Sequence, residues 1–408
     1  MQADITTEQE AMPAEEYKKL IEDWSKLTKL LPAGWEEQAK ALGALKFSRQ
    51  LDGPDNLLRI LLMYFSDGCS MRETVARARA GDLANISDVG LLKRINKSGE
   101  WLRWMSERLI QETPVSAMKC SALDGRRLLA VDGSVVREPG AITAVWRLHY
   151  TMDIDTLSCQ EMQITSTRVG ESLTRFAVRQ GDVIIADRGF ANRRGVNHIL
   201  DHGGDVLVRM NLCSLPLQDE HGAPFVQLPY LRTLQAGQTG EWSAMLQGTK
   251  GAVAVRVCAY RKTDEQRIES ERKYRQYINK KQQKFNADTL EASGYVVVVT
   301  SLRSLDAEGI LALYRHRWQV ELAFKRMKSL LGLGHLKKKN AEGAKAWLQG
   351  KLFVACLIER LIALGDHFSP DECLQYEEAS GATSLSLARN GVCALAVKRS
   401  SESTVVAI

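Results

Sequence analysis

The sequence of 408 residues predicts a mixed α/β fold in which helices precede and follow a central sheet. Three observations lead to this prediction. A helical period runs from residue 55 to residue 110, short apolar strands then alternate with helices, and an apolar helix follows at residues 344–364. The content of 45% hydrophobic and 25% charged residues is ordinary for a globular chain with a large core.

The net charge of +6 is mildly basic, which permits a nucleic-acid partner without requiring one. The eight cysteines include no Cys-x-x-Cys pair, so we expect reduced thiols rather than a zinc site or a disulfide framework. The acidic N-terminus does not resemble a secretory signal, and the apolar runs are too short or too interrupted by charge to span a membrane. These features predict a cytoplasmic protein without a membrane partner.

The N-terminal part is predicted to be helical, with a polar leader and short helices at residues 1–50 and a helical domain at residues 51–120. Ser70 and Glu73 form a capping-box pattern, and Ser87 precedes a further helix. Short helices with basic outer faces are typical of a DNA-recognition module, but a plain helical bundle fits the same pattern. The candidate DNA contacts on these helices are Arg72, Arg77, Lys93 and Arg94.

The sheet is predicted to begin after residue 127, where the hydrophobic period changes. Residues 128–131 form a strand that ends in Asp132, and residues 182–186 form a second buried strand that ends in Asp187. Sites in α/β sheets collect at strand ends, where side chains enter a crevice. A brief helix is expected between them at residues 171–180. An aspartate in a simple turn remains the alternative for each position.

Residues 213–294 are predicted to be a β-rich insertion that projects from the main sheet. Residues 241–246 and 252–260 alternate like antiparallel strands, and a highly charged helix covers residues 264–292. The basic residues of this helix and the run at 337–339 are interpreted either as solvated faces or as surfaces that follow phosphates. The chain returns to the sheet at Tyr295.

Residues 314–328 (YRHRWQVELAFKRMK) are predicted to form one helix on which Tyr314, Arg317, Glu321 and Lys328 share a sector of roughly 60°. Trp318 is predicted to pack against the sheet. A carboxylate among cations and a phenol suits a divalent metal beside a polyanion, because the acid binds the ion while Arg and Lys bind phosphates. The alternative is a solvated helix face with ion pairs between residues four apart.

Two aspartates on adjacent strands and a helical glutamate could jointly hold two divalent metals and support in-line attack on a phosphodiester. The spacing Tyr314-x2-Arg317-x3-Glu321-x6-Lys328 resembles the signature of DDE transposases of the bacterial insertion-sequence-four family. Asp132 in LLAVDGS and Asp187 in IIADRGF are similar to the first two acidic motifs of that family. Residues 70–102 resemble its end-recognition region, and the resemblance covers about residues 50–365.

The resemblance implies a ribonuclease-H-like catalytic core at residues 121–212 and 295–340, interrupted by the insertion. It implies that Asp132, Asp187 and Glu321 are catalytic and bind two Mg2+ ions, for which Mn2+ could substitute. The implied activity is that of a DNA transposase, which binds terminal inverted repeats, cleaves the element ends and transfers strands to target DNA. A homodimer in a synaptic complex at the bacterial nucleoid is implied as well, with the helical region and tail at residues 341–408 available for dimerisation.

The resemblance also implies contacts with DNA around the cut. Backbone phosphates would be contacted by Tyr314, Arg317, Lys328 and Arg188. Cleavage in that family often passes through a hairpin in which an aromatic residue stabilises a flipped base, for which Tyr295 and Trp242 are candidates, with a place in the core as the alternative. Two other functions stay open at this level: a hydrolytic nuclease that does not join DNA, and an inactive DNA-binding regulator.

Overall fold

A mixed sheet of eight strands forms the centre of the protein within the residues that the structure, a computed structural model, describes. These are residues 24–46, 51–66, 68–112, 123, 125–139, 145–329, 331–333, 336 and 340–366. The strands are β1 (Leu128–Val136), β2 (Trp146–Asp153), β3 (Cys159–Ser166), β4 (Val183–Ala186), β5 (Asp205–Arg209), β6 (Thr239–Gln247), β7 (Ala252–Arg261) and β8 (Tyr295–Thr300). Their order across the sheet is β3-β2-β1-β4-β5-β8-β7-β6. The predicted mixed α/β fold is therefore confirmed.

Helices lie before, between and after the strands. Those before the sheet are α1 (Trp35–Ala41), α2 (Gly53–Phe65), α3 (Met71–Ala80), α4 (Asp88–Lys97) and α5 (Gly99–Glu112). Those that follow are α6 (Arg193–Asp201), α7 (Gln227–Leu231), α8 (Asp264–Lys281), α9 (Ala287–Ala292), α10 (Ala307–Arg315), α11 (Trp318–Ser329) and α12 (Ala341–Asp366). Residues 1–23 and 47–50 of the predicted leader region, the lysine run at 337–339 and the tail from residue 367 lie outside the described residues.

The two faces of the sheet belong to different hydrophobic cores. Successive residues of a strand point to opposite faces, so Leu128 and Ala130 join a core with α11 and α12, whereas Leu129 and Val131 join a core with α6. The same alternation places the side chain of Asp132 on the face that carries α11. This parity decides which groups surround the acid.

The N-terminal helices share their core with α12 instead of forming one of their own. Trp101 and Leu102 of α5 are fully buried in the same cluster as Phe353 of α12. A Cβ on Gly99 would lie 3.3 Å from the Cα atom of Ala346, so the two helices approach closely. The helical region expected at residues 51–120 is thus continuous in its packing with the C-terminal helix.

Gly350 of α12 lies directly against the ring of Phe65 at the end of α2. A Cβ at this position would fall 2.5 Å from Phe65 Cε1, and the ring is fully buried. Replacing Gly350 with Ala is expected to lower the free energy of unfolding by about 1–3 kcal/mol, because overpacking forces the two helices apart. Denaturant unfolding measures this loss. Gly90→Ala in α4, where the nearest atom would be at 3.4 Å, is the control and should not destabilise the chain; equal stability of both variants would contradict the prediction.

Glu359 is a half-buried residue whose carboxylate joins α12 to the edge of the sheet. It accepts hydrogen bonds from the Tyr150 hydroxyl and the Cys159 backbone N–H, each at 3.2 Å. Burial raises the pKa of Glu359 above its ordinary value of 4.5. The folded state therefore favours the protonated form, so the stability that this group contributes is present below pH 4.5 and is lost as the pH rises through the raised pKa.

Glu359→Gln is expected to remove this part of the pH dependence, because the amide keeps the shape of the carboxyl group and does not titrate. Melting temperatures measured from pH 4.5 to about pH 8 should fall less in the variant than in the parent chain. Glu342→Gln, at an exposed position of the same helix, serves as the control and should follow the parent. Parallel curves for all three proteins would show that Glu359 does not titrate as described.

The structure corrects three predicted elements. The hairpin of β6 and β7 does not project from the sheet but extends it, because β8 pairs with β5 on one side and offers its other edge to β7. The charged helix expected over residues 264–292 divides into α8 and α9 at Gln282, which has φ 52°. The helix expected at residues 171–180 is only a 3₁₀ turn, Leu173–Arg175, because Phe176 becomes extended and is buried near Phe190.

Candidate active site

Asp132 lies inside β1 and not at its end, so that detail of the sequence prediction is wrong. The antiparallel ladder with β2 continues to Val136, whereas the parallel ladder with β4 ends at the pair Val131 and Ala186. Asp132 stands where β1 loses its β4 neighbour. Asp187 follows β4 directly, as predicted. The two aspartates therefore occupy equivalent positions, each one residue beyond the last pair of the parallel strands β1 and β4. This is the crevice at which α/β sheets gather their functional groups.

The carboxylate of Asp132 is poorly solvated and lies among other acids. Burial raises its pKa to about 6, the Gly133 N–H and the Arg317 guanidinium oppose the shift, and the charges of Asp187 and Glu171 add to it. The Gly133 N–H donates to Oδ1 at 2.7 Å. In this setting the ionised form of the acid is unfavourable, and a cation that approaches it stabilises that form.

The stretch predicted as one helix from Tyr314 divides into α10 and α11, with a tightened turn between them. Arg317 N donates to the Tyr314 carbonyl at 3.1 Å, and Val320 N donates to the Arg317 carbonyl at 3.3 Å, both over three residues. Such bonds are 3₁₀-like. Arg317 therefore lies outside the regular helices. Since Tyr314 and Glu321 belong to different helices, the prediction that Tyr314, Arg317, Glu321 and Lys328 share one sector of a single helix is wrong.

Arg317 links the three acids electrostatically. Its Nη2 atom lies 2.6 Å from Glu321 Oε1, with side-chain exposures of 13% and 32%. Burial opposes the charge of Arg317, but Tyr314, Glu321 and Asp187 together raise its pKa. The same guanidinium also opposes the rise in the pKa of Asp132. One permanent cation thus serves carboxylates from β1, from the end of β4 and from α11.

Tyr314 is 7% exposed, and its hydroxyl donates to Asp187 Oδ1 at 3.3 Å. Burial raises the pKa of this phenol, and the charge of Asp187 raises it further. A buried, protonated hydroxyl orients an acid and is poorly placed to contact a phosphate. The hydroxyl of Tyr314 is thus engaged with Asp187, and the expected phosphate contact by this residue stays a prediction.

The remaining predicted DNA contacts lie on the surface or near it. Arg188 is exposed directly after Asp187, whereas Lys328 is half-buried on α11. In the helical region, Arg72, Arg77 and Lys93 are exposed and Arg94 is half-buried. Several are paired: Arg72 lies 3.5 Å from Asp88, Arg77 lies 2.9 Å from Glu73, and Arg94 donates to the Ala44 carbonyl at 3.4 Å.

The aromatic residues differ in exposure. Tyr295 is 7% exposed in the core beside α6, and Trp242 is half-buried with its ring 5.7 Å from that of Tyr230. Trp318 does not pack against the sheet as expected: it is 41% exposed, and Lys325 Nζ lies 4.5 Å from its ring centroid. The exposure of the tryptophan beside Arg317 and the acid at position 171 are features of the site that the sequence prediction missed.

The donor groups of the site suit a hard divalent cation, since they are carboxylate oxygens. Within the part of the chain that the structure describes, no three His, Cys, Asp or Glu side chains converge closely enough to hold one metal ion. A site with two ions divides its acids between them and does not need all three on one centre. Asp132 of β1, Asp187 after β4 and Glu321 of α11 supply carboxylates of the type that such a site uses.

A mixed sheet that presents acids from two adjacent strands, with a third acid on a following helix, defines a class of enzyme that acts on phosphodiester bonds. The family described as Transposase DDE domain matches residues 124–357. The transposase for insertion sequence element IS421 of Escherichia coli is 36% identical over 348 residues, which cover 83% of this chain and 93% of that protein. The transposase for insertion sequence element IS231C of Bacillus thuringiensis subsp. berliner is 24% identical over 365 residues, which cover 79% of this chain and 76% of that protein.

The chain belongs to the DDE transposase family, as a member of its insertion-sequence-four branch. It is a metal-dependent enzyme of DNA transposition that cleaves DNA and transfers strands. None of the described helices is long and apolar enough to cross a membrane.

Proposed function

We propose that Asp132, Asp187 and Glu321 form the catalytic set of this transposase and hold two Mg2+ ions, for which Mn2+ substitutes. The observation that carries this proposal is the placement of Asp132 and Asp187 directly after the last β1–β4 residue pair, with Arg317 paired with Glu321 and acting electrostatically on both aspartates. Ions bound to these carboxylates would activate the attacking oxygen and stabilise the leaving oxygen of the cleaved phosphodiester.

The other residues of the site orient the acids and balance their charge. The Gly133 N–H fixes Oδ1 of Asp132 and thereby the plane of its carboxylate. The Tyr314 hydroxyl orients Asp187. Arg317 holds Glu321 and keeps three negative charges compatible before a cation binds. Preorganised groups of this kind lower the reorganisation that the reaction would otherwise require.

DNA contacts are proposed around this centre and on the helical region. Arg188 and Lys328 contact backbone phosphates near the cut, supported by the exposure of Arg188 and the position of Lys328 on α11. Trp242 is better supported than Tyr295 as the partner of a flipped base, because Tyr295 is nearly buried. The terminal repeats are contacted from residues 51–120 by Arg72, Arg77, Lys93 and Arg94.

The active assembly is proposed to be a homodimer that pairs two ends at the nucleoid. Exposed apolar side chains on the last turns of α12 support this assignment, because such residues are found at protein contacts. They are Ile358, Leu361 and Ile362, with exposures of 42%, 49% and 54%. The insertion at residues 213–294 and the region at 341–408 are the proposed auxiliary parts of the assembly.

End DNA of the chain's own element tests the proposal when it is incubated with Mg2+ uncut and, separately, pre-cut together with target plasmid. Joined products are expected, and strand sizing at nucleotide resolution distinguishes them from nicks and hairpins. Nicked ends without joined products would support a hydrolytic nuclease instead. A gel shift of end DNA with no cleavage in Mg2+ or Mn2+ would support an inactive regulator.

A further inference from the structure

Glu171 lies between the loops that carry the two aspartates. It follows β3 and precedes the 3₁₀ turn Leu173–Arg175. A Cβ on Gly133 would lie 2.7 Å from Glu171 Oε1, and a Cβ on Gly189 would lie 2.7 Å from Glu171 Oε2. Any larger residue at either position would displace the carboxylate. The space that the two glycines leave free is therefore occupied by one carboxylate, which lies between β1 and the turn after β4.

Both glycines are close neighbours of the proposed catalytic acids. Gly133 follows Asp132 directly, and Gly189 is two residues after Asp187. Because side chains alternate along β1, the missing side chain of Gly133 faces away from the side that Asp132 occupies. Glu171 therefore approaches from the face opposite to α11. Its carboxylate lies beside the β1 backbone behind Asp132 and beside Gly189 in the turn that follows Asp187.

Arg147 on β2 anchors the Glu171 carboxylate. Its Nε atom lies 3.6 Å from Glu171 Oε1, and Nη1 donates to the Val169 carbonyl at 2.8 Å. The Arg147 side chain is 18% exposed, and its Nε atom is buried without a hydrogen-bond partner. A half-buried guanidinium thus forms an ion pair with the acid and a hydrogen bond with the loop that leads to it.

We propose that Glu171, held by Arg147, is a positioning residue that sets the spacing of Asp132 and Asp187 for divalent cations, an inference that rests on the proposed role of those aspartates. If Glu171 only held the backbone in place, Gln would do so equally well, because its side chain has the same shape. A third carboxylate near two others is unfavourable by itself and becomes favourable when a cation is bound. The charge of Glu171 should therefore matter for ion binding more than for folding.

Glu171→Gln in the full chain separates these roles through two measurements. The Mg2+ concentration for half-maximal end cleavage is expected to rise about tenfold or more, as for other residues that orient metal ligands, whereas the rate at saturating metal falls by less than about threefold. Calorimetric titration with Mn2+ in the absence of DNA should show weaker binding by a similar factor. Gly189→Ala, which displaces the same carboxylate, should shift both quantities in the same direction.

Glu161→Gln is the matched control. Glu161 lies on β3, accepts a hydrogen bond from Ala177 N at 3.0 Å, and belongs to the same edge of the sheet. Its metal dependence should stay within about twofold of the parent, since it orients no ligand. Circular dichroism melting shows whether each variant is folded at the assay temperature.

The proposal is overturned if Glu171→Gln binds Mn2+ as the parent does, whether its cleavage rate is unchanged or is lowered equally at all metal concentrations. If Glu171→Gln melts below the assay temperature, Gly189→Ala decides through the same two measurements. Failure of the parent chain to cleave end DNA would contradict the proposed function alone, because the comparison of Mn2+ affinities needs no cleavage.

Discussion

Alanine at Asp132, Asp187 or Glu321 is expected to abolish metal-dependent cleavage of element ends, a loss on the order of 10³-fold or more, as for other groups that act as a unit. Each acid is a proposed ion ligand, and the two aspartates stand next to the last residue pair of the adjacent strands β1 and β4. Binding of end DNA should persist, because phosphate contacts come from other residues. Strand sizing on denaturing gels measures cleavage, and gel shifts measure binding.

Controls for this prediction are acids of the same types at exposed positions nearby. Asp201→Ala on α6 and Glu308→Ala on α10 remove a carboxylate from elements that flank the sheet. Both should cleave at nearly the parental rate. Parental cleavage by any one of the three active-site variants would remove that residue from the catalytic set.

The acids could be predicted from the sequence because each follows or interrupts an apolar run, and such runs define buried strands without knowledge of their partners. The extent of β1 could not be predicted in the same way. Val135 and Val136 continue the strand because they pair with Arg147 and Trp146 of β2, which come later in the chain. The same reason explains the insertion. The strands β6 and β7 were predicted, but their place in the sheet depends on β8, which is distant in sequence.

The role of Glu171 was beyond sequence analysis for a related reason. An acid in a loop after an edge strand has no periodic signal, and its contacts with Gly133 and Gly189 exist only after three separate segments meet. A weak signal was present, since a glycine follows each proposed catalytic aspartate within two residues. The break between α10 and α11 was missed because helical periodicity continues across it, whereas the hydrogen bonds of the turn span three residues.

Arg317→Ala is expected to lower the maximal rate of end cleavage by about 100-fold or more, comparable to the loss of one preorganised charge-stabilising group. Glu321 would lose a partner at 2.6 Å, and the two aspartates would lose the favourable charge of the guanidinium. Arg317→Lys should recover only part of the rate, because an ammonium group lacks the planar guanidinium that can address several carboxylates at once. Arg315→Ala, at an exposed arginine two residues earlier, should cleave normally.

The metal dependence of Arg317→Ala should change in the opposite direction to that of Glu171→Gln. Removing a cation from among three acids makes the local potential more negative, so the Mg2+ concentration for half-maximal cleavage should stay equal or fall while the rate collapses. Removing the charge of Glu171 should raise that concentration with little change in the rate. A metal titration of both variants on the same end DNA makes the comparison. If Arg317→Ala instead required more Mg2+ than the parent, Arg317 would support ion binding and would not simply balance the charge of the acids.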